Sequence, residues 1–368
     1  MKKLARRSAP LVAVAVLGAL LLVAAASGRG NGKASSNAGI KACALLPDTK
    51  SSTRYTLFDA PYLKAAFKKA NVPAQVLNAL GDSQKQTSQA QQCLARGAKV
   101  ILLDQLNAAS GTAITNLAVS RGAKVIDYDR LVVGSKAAYY VSFNNVRVGK
   151  LMGAGLIAAL KARHKYASHP VVGRMNGGIT DNNAKLFRQG YTKVLNPLWN
   201  NGTFKKAQGE DQYTDWDPIK GRQIFDQMLA RNGNKIDAMI AANDGLAGAV
   251  IASLKAHSLK SIPLTGQDAT PTGVQFILAG WQSGTVYKSV KREAAAAATL
   301  AIKIIKGQKV SLPAIAKTYK GGTQKVSGTP SILLTPVWIT KKNYKLLFAD
   351  GFLKRSQVCI GEYKKYCK

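Results

Sequence analysis

The stretch Val125-Ile126-Asp127-Tyr128-Asp129-Arg130 narrows the fold of this chain more sharply than any other. An apolar run of β-formers climbs from Lys124 and stops abruptly at charged and aromatic side chains. In an open parallel α/β sheet, ligands bind in the crevice beyond the carboxyl ends of the strands. A strand ending in Asp-Arg carries an acceptor pair and a planar five-donor fork to that crevice. The pattern recurs downstream. Ala238-Met239-Ile240-Ala241-Ala242 runs into Asn243-Asp244, Ile262-Pro263-Leu264-Thr265 into Gly266-Gln267-Asp268, and Thr285-Val286-Tyr287 into Lys288. Four apolar strands that each end in a hydrogen-bonding side chain predict a polar ligand site.

The segments around these strands alternate. Residues 40–46, 74–77 and 100–103 read as short strands, the last one apolar throughout, as in a strand buried on both faces. Leu63, Phe67 and Ala70 recur at helical spacing, Gly81-Asp82-Ser83 caps a second helix that Gly97 stops, and a third spans 110–119. This β-α-β-α-β-α-β order is the rhythm of a doubly wound parallel sheet. It then restarts. Residues 139–143 are extended, Asn144-Asn145 opens a helix to Lys161, 170–175 form a strand, and Asp181 reads as the N-cap of the helix that follows. Helices over 221–232 and 245–257 lead to the Ala238 and Ile262 strands, and Asp244 reads as a cap for the second of these helices. The expected fold is α/β: two doubly wound parallel-sheet lobes joined by a three-crossover hinge, with a ligand cleft between them. Crossings near Ser142, Lys288 and Leu334 divide the chain into an N-terminal lobe (40–141 plus 289–332) and a C-terminal lobe (142–288 plus 333–368).

The amino terminus is expected to lie outside that fold. Lys2, Lys3, Arg6 and Arg7 precede an apolar run from Leu11 to Ala26 that closes on Ala24-Ala25-Ala26, the plan of a secretory signal peptide over residues 1–26. Cleavage and retention as an anchor are both open. No cysteine follows the run, so a lipid-bearing cysteine is unavailable there. Residues 27–39 read as a flexible polar linker. Export, to a periplasm or to the cell envelope and its exterior, gives the four cysteines meaning. The four allow three pairings; Cys359 and Cys367 are near enough to close a small loop, in which case Cys43 and Cys93 would be the remaining pair. With 53 Lys and Arg against 18 Asp and Glu, the formal charge is +35, and removing the four signal-peptide cations from +35 leaves +31. The cations are spread along the chain without a dense block or a nucleic-acid-binding motif, so no nucleic-acid partner is expected. A cell-surface polyanion-binding or adhesion protein on the same fold is the alternative reading of that charge.

Seven segments in order carry a resemblance. They are Leu-Pro-Asp-Thr-Lys-Ser-Ser-Thr-Arg-Tyr (46–55), Tyr-Asp-Arg (128–130), Tyr-Val-Ser-Phe-Asn-Asn (140–145), Thr-Asp-Asn-Asn-Ala-Lys-Leu-Phe (180–187), Ala-Asn-Asp-Gly-Leu-Ala-Gly (242–248), Gly-Gln-Asp-Ala (266–269) and Thr-Val-Tyr-Lys (285–288). Together they resemble the substrate-binding proteins of sugar ABC importers, nearest to the D-xylose-binding branch, from about Ile40 to Leu353. The resemblance implies the type I periplasmic-binding-protein fold and ligand roles for Arg54, Asp129, Arg130, Asn183, Trp216, Asn243, Asp268 and Lys288, with Asp181 or Asn182 as neighbours. Tyr55 stands where that family often carries Trp. A monosaccharide, xylose or a related aldose, and the membrane subunits of an ABC permease are the implied partners of a monomeric receptor.

The chemistry of these side chains agrees. A pentose presents hydroxyls that donate and accept on a ring with apolar C–H faces; Asp accepts, Arg and Lys donate, and Asn does one of each. Trp216 and Tyr55 are candidates to cover the sugar faces. Gly153-Ala154-Gly155-Leu156-Ile157-Ala158 fits a dinucleotide fingerprint but falls inside a helix instead of at a strand-to-helix turn. Neither a nucleophile–base pair nor a zinc-spaced set of ligands is evident, so neither enzymatic activity nor a cofactor or metal is expected.

Overall fold

A computed structural model describes residues 39–367; the expected signal peptide and all but the last residue of the linker lie outside the described residues. Among the described residues, no helix is long and apolar enough to cross a membrane.

The first lobe is built on strands β1 (Ala42–Leu46), β2 (Ala74–Asn78), β3 (Val100–Leu103), β4 (Lys124–Tyr128) and β5 (Tyr139–Phe143), all parallel in the order β2-β1-β3-β4-β5. Their side chains alternate between two cores, because successive residues of a strand point to opposite faces. Ala42, Ala44, Leu46, Val100, Leu102, Ile126 and Tyr128 face the alanine-rich helix Val290–Ile305. Cys43, Leu45, Ile101, Leu103 and Val125 face the helices Ser83–Ala95 and Ala108–Ser120. On that second face Cys43 is bonded to Cys93, and Cys359 is bonded to Cys367 near the carboxyl terminus, the two expected pairs.

The second lobe centres on β6 (Val171–Asn176), with β9 (Ala238–Ala241) along one edge and the short β7 (Lys205–Lys206) and β8 (Gln212–Tyr213) along the other, all parallel. Helices Asn145–Ala162 and Asn182–Asn200 cross closely against it. A Cβ on Gly149 would lie 2.0 Å from the Phe187 carbonyl oxygen, and one on Gly190 2.2 Å from that of Val146, so glycine is required at both. Gly153 and Gly155 lie inside the first of these helices, where added Cβ atoms would meet Val194 and Trp338. They are packing glycines, away from any strand-to-helix turn.

Three crossovers join the lobes. The chain leaves the first sheet after β5, returns after β10 (Thr285–Tyr287), completes the first sheet with β11 (Gly321–Val326) and β12 (Thr329–Leu334), and leaves again to β13 (Val337–Ile339), which pairs antiparallel with β10. Strands β5 and β12 stay in the first sheet to Phe143 and Leu334, each two residues past the expected divisions after 141 and 332. Two expectations need correction. The Ile262 segment forms only a single bridge between Leu264 and Met239, since Pro263 has no N–H to extend the ladder. The helix Asp244–Ala256 is capped by Asn243, whose side chain accepts from the Leu246 amide at 2.9 Å, not by Asp244.

Candidate functional site

The strand ends of the two lobes face each other across a closed cleft. About 280 Å³ lies between Ser51, Ser52, Arg54, Tyr55, Asp129 and Arg130 on one side and Asp181, Asn183, Phe187, Trp216, Asn243, Gln267 and Asp268 on the other, with Lys288 from the second crossover. Of the residues expected there, Arg54, Tyr55, Asp129, Arg130, Asp181, Asn183, Trp216, Asn243, Asp268 and Lys288 all line it. Asn182 does not; it is the first residue of its helix and lies outside the lining.

The charges are arranged in layers. Arg54 is buried and gives Nε and Nη2 to Asp59 at 2.9 and 2.7 Å, Nη2 again to Glu293 at 2.5 Å, and Nη1 to Asp129 at 3.1 Å. Four of its five N–H groups are thereby engaged, and one on Nη1 remains for a ligand. Arg130 lies 3.4 Å from Asp181 and 3.6 Å from Asp104, and its guanidinium stacks 5.6 Å from the Tyr55 ring centroid. Asp129 and Arg130, adjacent in sequence, therefore do not pair with each other. Lys288 stands between a carboxylate of each lobe, 3.6 Å from Asp129 and 3.4 Å from Asp268. Burial alone would raise the Asp129 carboxyl, but the charges of Arg54, Lys288 and Arg130 overcome it and hold the group well below the usual carboxylate range. Asp181 is pushed up by burial, with Arg130 opposing.

Three lining residues sit in left-handed backbone: Asp129 (φ 58°), Trp216 (φ 60°) and Asp268 (φ 92°). For a bulky tryptophan this conformation is costly and is held only where the surroundings enforce it. Gly177 and Gly178 leave room for the ring. A Cβ on Gly177 would come 2.1 Å from the Trp216 ring, so the indole rests directly on glycine backbone, with its Nε1 donating to Asp181 at 3.0 Å. Asp181 thus does two tasks, since its other oxygen caps the helix through the Asn183 amide at 2.8 Å.

Direct contacts shut the cleft. Ser52 Oγ donates to Asp268 at 2.9 Å, Asn243 Nδ2 to the Ser51 carbonyl at 2.9 Å, and Asn183 Nδ2 to the Asp129 carbonyl at 2.8 Å. Ser51, Ser52, Phe187 and Gln267 were missed by residue-level reading, although all four lie within the segments that carry the resemblance. Asp59, Asp104 and Glu293 form an outer layer; Asp104 follows the end of β3, and no motif marked Asp59 or Glu293. Asp244 is buried beside Gln282 and Thr270, outside the lining. Among the described residues, no group of three or more His, Cys, Asp or Glu side chains is placed to hold a metal ion.

Two α/β lobes, three crossovers and a polar cavity lined from both sides define a ligand-closing receptor of the periplasmic-binding-protein type. The chain belongs to that family: residues 43–309 match the periplasmic binding protein domain. It is 35% identical over 286 residues to the D-xylose-binding periplasmic protein of Escherichia coli, covering 77% of this chain and 82% of that one. Against the Haemophilus influenzae protein of the same description the identity is 34% at the same coverage. A solute-binding protein of an ABC transporter from Clostridium phytofermentans, solved with β-D-glucose, superposes with a TM-score of 0.78 at 26% identity, covering 86% of this chain and 99% of the other. Such proteins bind solutes and do not transform them; the chain is not an enzyme.

Proposed function

We propose that this protein is an exported, monomeric receptor that captures a monosaccharide by lobe closure and delivers it to an ABC-type sugar permease, with D-xylose as the ligand. The observation that carries the reading is Lys288 set between Asp129 and Asp268, one carboxylate from each lobe, in a cavity walled by Trp216 and Phe187. Carboxylates that accept from sugar hydroxyls, and cations that donate to them, form charge-assisted bonds roughly twice as strong as neutral ones. Trp216 and Phe187 supply apolar cover for the ring's C–H faces. A pentose has about ten heavy atoms, and the best small ligands reach about −1.5 kcal/mol per atom. Micromolar affinity needs only about −8 kcal/mol, which leaves room for the cost of closure. The two D-xylose-binding relatives favour a pentose over a hexose, which carries an additional hydroxymethyl group.

Calorimetric titration of the chain from Ser27 to Lys368 against pentoses and hexoses tests this. One-to-one binding of D-xylose at micromolar affinity or tighter is expected, without turnover. Asp129→Ala and Asp268→Ala should each weaken it by a hundred-fold or more, since a buried charge left without its partner costs roughly 3–5 kcal/mol. Silence across the panel, or unchanged affinity in both variants, would overturn the reading.

A further inference from the structure

Away from the cleft, the carboxyl-terminal segment builds a second concave surface. Lys341, Lys342, Lys345 and Lys365 line it together with Tyr344 and Tyr366, around about 1090 Å³. Its walls are fixed. Thr340 donates its amide to Asn343 at 2.7 Å and Asn343 Nδ2 donates to the Trp338 carbonyl at 3.0 Å, which shapes the first lysine turn. On the facing wall, the Cys359–Cys367 disulfide and an Arg355 Nη2 hydrogen bond to the Cys367 carbonyl at 2.7 Å hold the turn Gly361–Tyr366. The Tyr366 ring gathers two ammonium groups, Lys341 at 5.8 Å and Lys365 at 5.1 Å from its centroid.

Among the described residues these cations have no counter-charge of their own. All four lysines are exposed, and none forms an ion pair with a described carboxylate. Glu362, the exposed acid of the segment, pairs with none of them, and Asp350 is engaged by Arg292 at 2.9 Å and Tyr287 at 2.6 Å. The wider surface reinforces the field, because Asp48, Asp59, Asp104, Asp127, Asp129 and Glu293 of the first lobe are all turned inward.

We propose that this recess docks an extended phosphodiester polymer, independently of the sugar cleft. Ammonium groups spaced around a hollow match charges repeated along a strand, and phosphate oxygens accept from lysine ammonium and tyrosine hydroxyl alike. A strand can enter the hollow, whereas the headgroups of a flat bilayer meet only its rim. Docking of this kind holds a receptor near an anionic envelope.

The test is binding to poly(glycerol phosphate) as a function of salt. A fourfold rise in salt is expected to lower affinity by roughly 50-fold, which follows from a slope of about −0.7 per neutralised charge for a single strand and four charges. A variant with Lys341, Lys342, Lys345 and Lys365 all changed to Gln should bind weakly with a slope shallower by about 3, while sugar binding and thermal unfolding stay unchanged. A control with Lys41, Lys99, Lys124 and Lys136 changed to Gln removes the same charge elsewhere and should keep the slope. Should the fourfold cradle variant fold poorly, Lys342→Gln and Lys365→Gln taken singly should each lessen the slope by about 0.7. Equal weakening in cradle and control variants would overturn the proposal in favour of a diffuse field. So would native-like binding by the cradle variant, or binding to phosphatidylglycerol vesicles with none to the polymer.

Discussion

Asp127 lies two residues before Asp129 but does different work. Its side chain is buried on the face of β4 that also carries Val125, with one oxygen accepting the Val132 amide at 2.9 Å and the other without a hydrogen-bond partner. Burial raises its pKa from 3.8 to about 8, only partly offset by that amide. A carboxyl whose folded pKa is raised holds its proton more tightly when folded. Stability from this group is therefore full below 3.8 and is lost as pH rises toward about 8. Asp127→Asn cannot titrate, and its amide is left short of a partner at a cost of about 1–3 kcal/mol. Unfolding by denaturant across this range should show the variant weaker in acid, with the native protein losing its advantage as pH rises. Parallel curves would mean that Asp127 does not titrate in this window. Asp129 has the opposite sign: its depressed pKa adds stability above the usual carboxylate range that is lost on acidification below it. Two acids, one on β4 and one just past its end, thus push stability in opposite directions with pH.

Glycine and tryptophan meet at the end of β6, where the sequence shows only Asn-Gly-Gly and, far downstream, Asp-Trp-Asp. Nothing in either tripeptide says that they touch; the contact exists because β8 brings residues 212–213 alongside 175–176. Gly177→Ala is compatible with the backbone there, since the residue is not left-handed, but its methyl would occupy the space of the indole. Displacing Trp216 removes a wall of the cavity and a donor to Asp181. Sugar affinity should drop by roughly ten- to a hundred-fold, the about 1.5–3 kcal/mol of a large apolar contact, with thermal stability little changed. Intact affinity would show that Trp216 lines the cavity without bearing on the ligand. Legibility elsewhere follows the same logic. The parallel strands of the first lobe could be read because they are apolar throughout and lie between periodic helices. Strand β11 could not, because it is an exposed edge strand whose Thr323, Gln324 and Lys325 show no alternation, and its turn signal is only Ser327-Gly328. The helices Pro271–Leu278 and Leu312–Thr318 are too short for periodicity to announce them. Lining residues at strand ends were readable from their position, and Asp104 stands at such an end after β3 although it was not singled out, whereas Asp59 and Glu293, which act through Arg54, carry no local mark.

Closure of the whole molecule turns on how few apolar groups cross the cleft. Beside the hinge the lobes share an apolar cluster in which the Phe58 and Phe352 rings lie 4.2 Å apart, but the contacts across the cleft itself are hydrogen bonds and ion pairs. The pair Lys50–Asp217 at 2.6 Å has its lysine mostly in solvent, where such pairs contribute about 1 kcal/mol or less. Removal of Lys50 should therefore matter little. Lys288 is different, because it is buried and neutralises a carboxylate from each lobe at once. In Lys288→Met the stem volume is kept, but Asp129 and Asp268 face each other without their common cation. Their repulsion is relieved by opening the cleft, so the equilibrium shifts toward the open form and a ligand must work against that shift. Small-angle scattering should show the native protein contracting on addition of D-xylose. The variant should stay extended at the concentration that saturates the native protein, with affinity lower by more than about a hundred-fold, as expected when a buried pair loses one partner. Contraction at native sugar concentrations would assign closure to the hydrogen bonds of Ser52, Asn183 and Asn243 and leave Lys288 as a ligand contact alone. The two outcomes separate a residue that holds the sugar from one that also holds the lobes together.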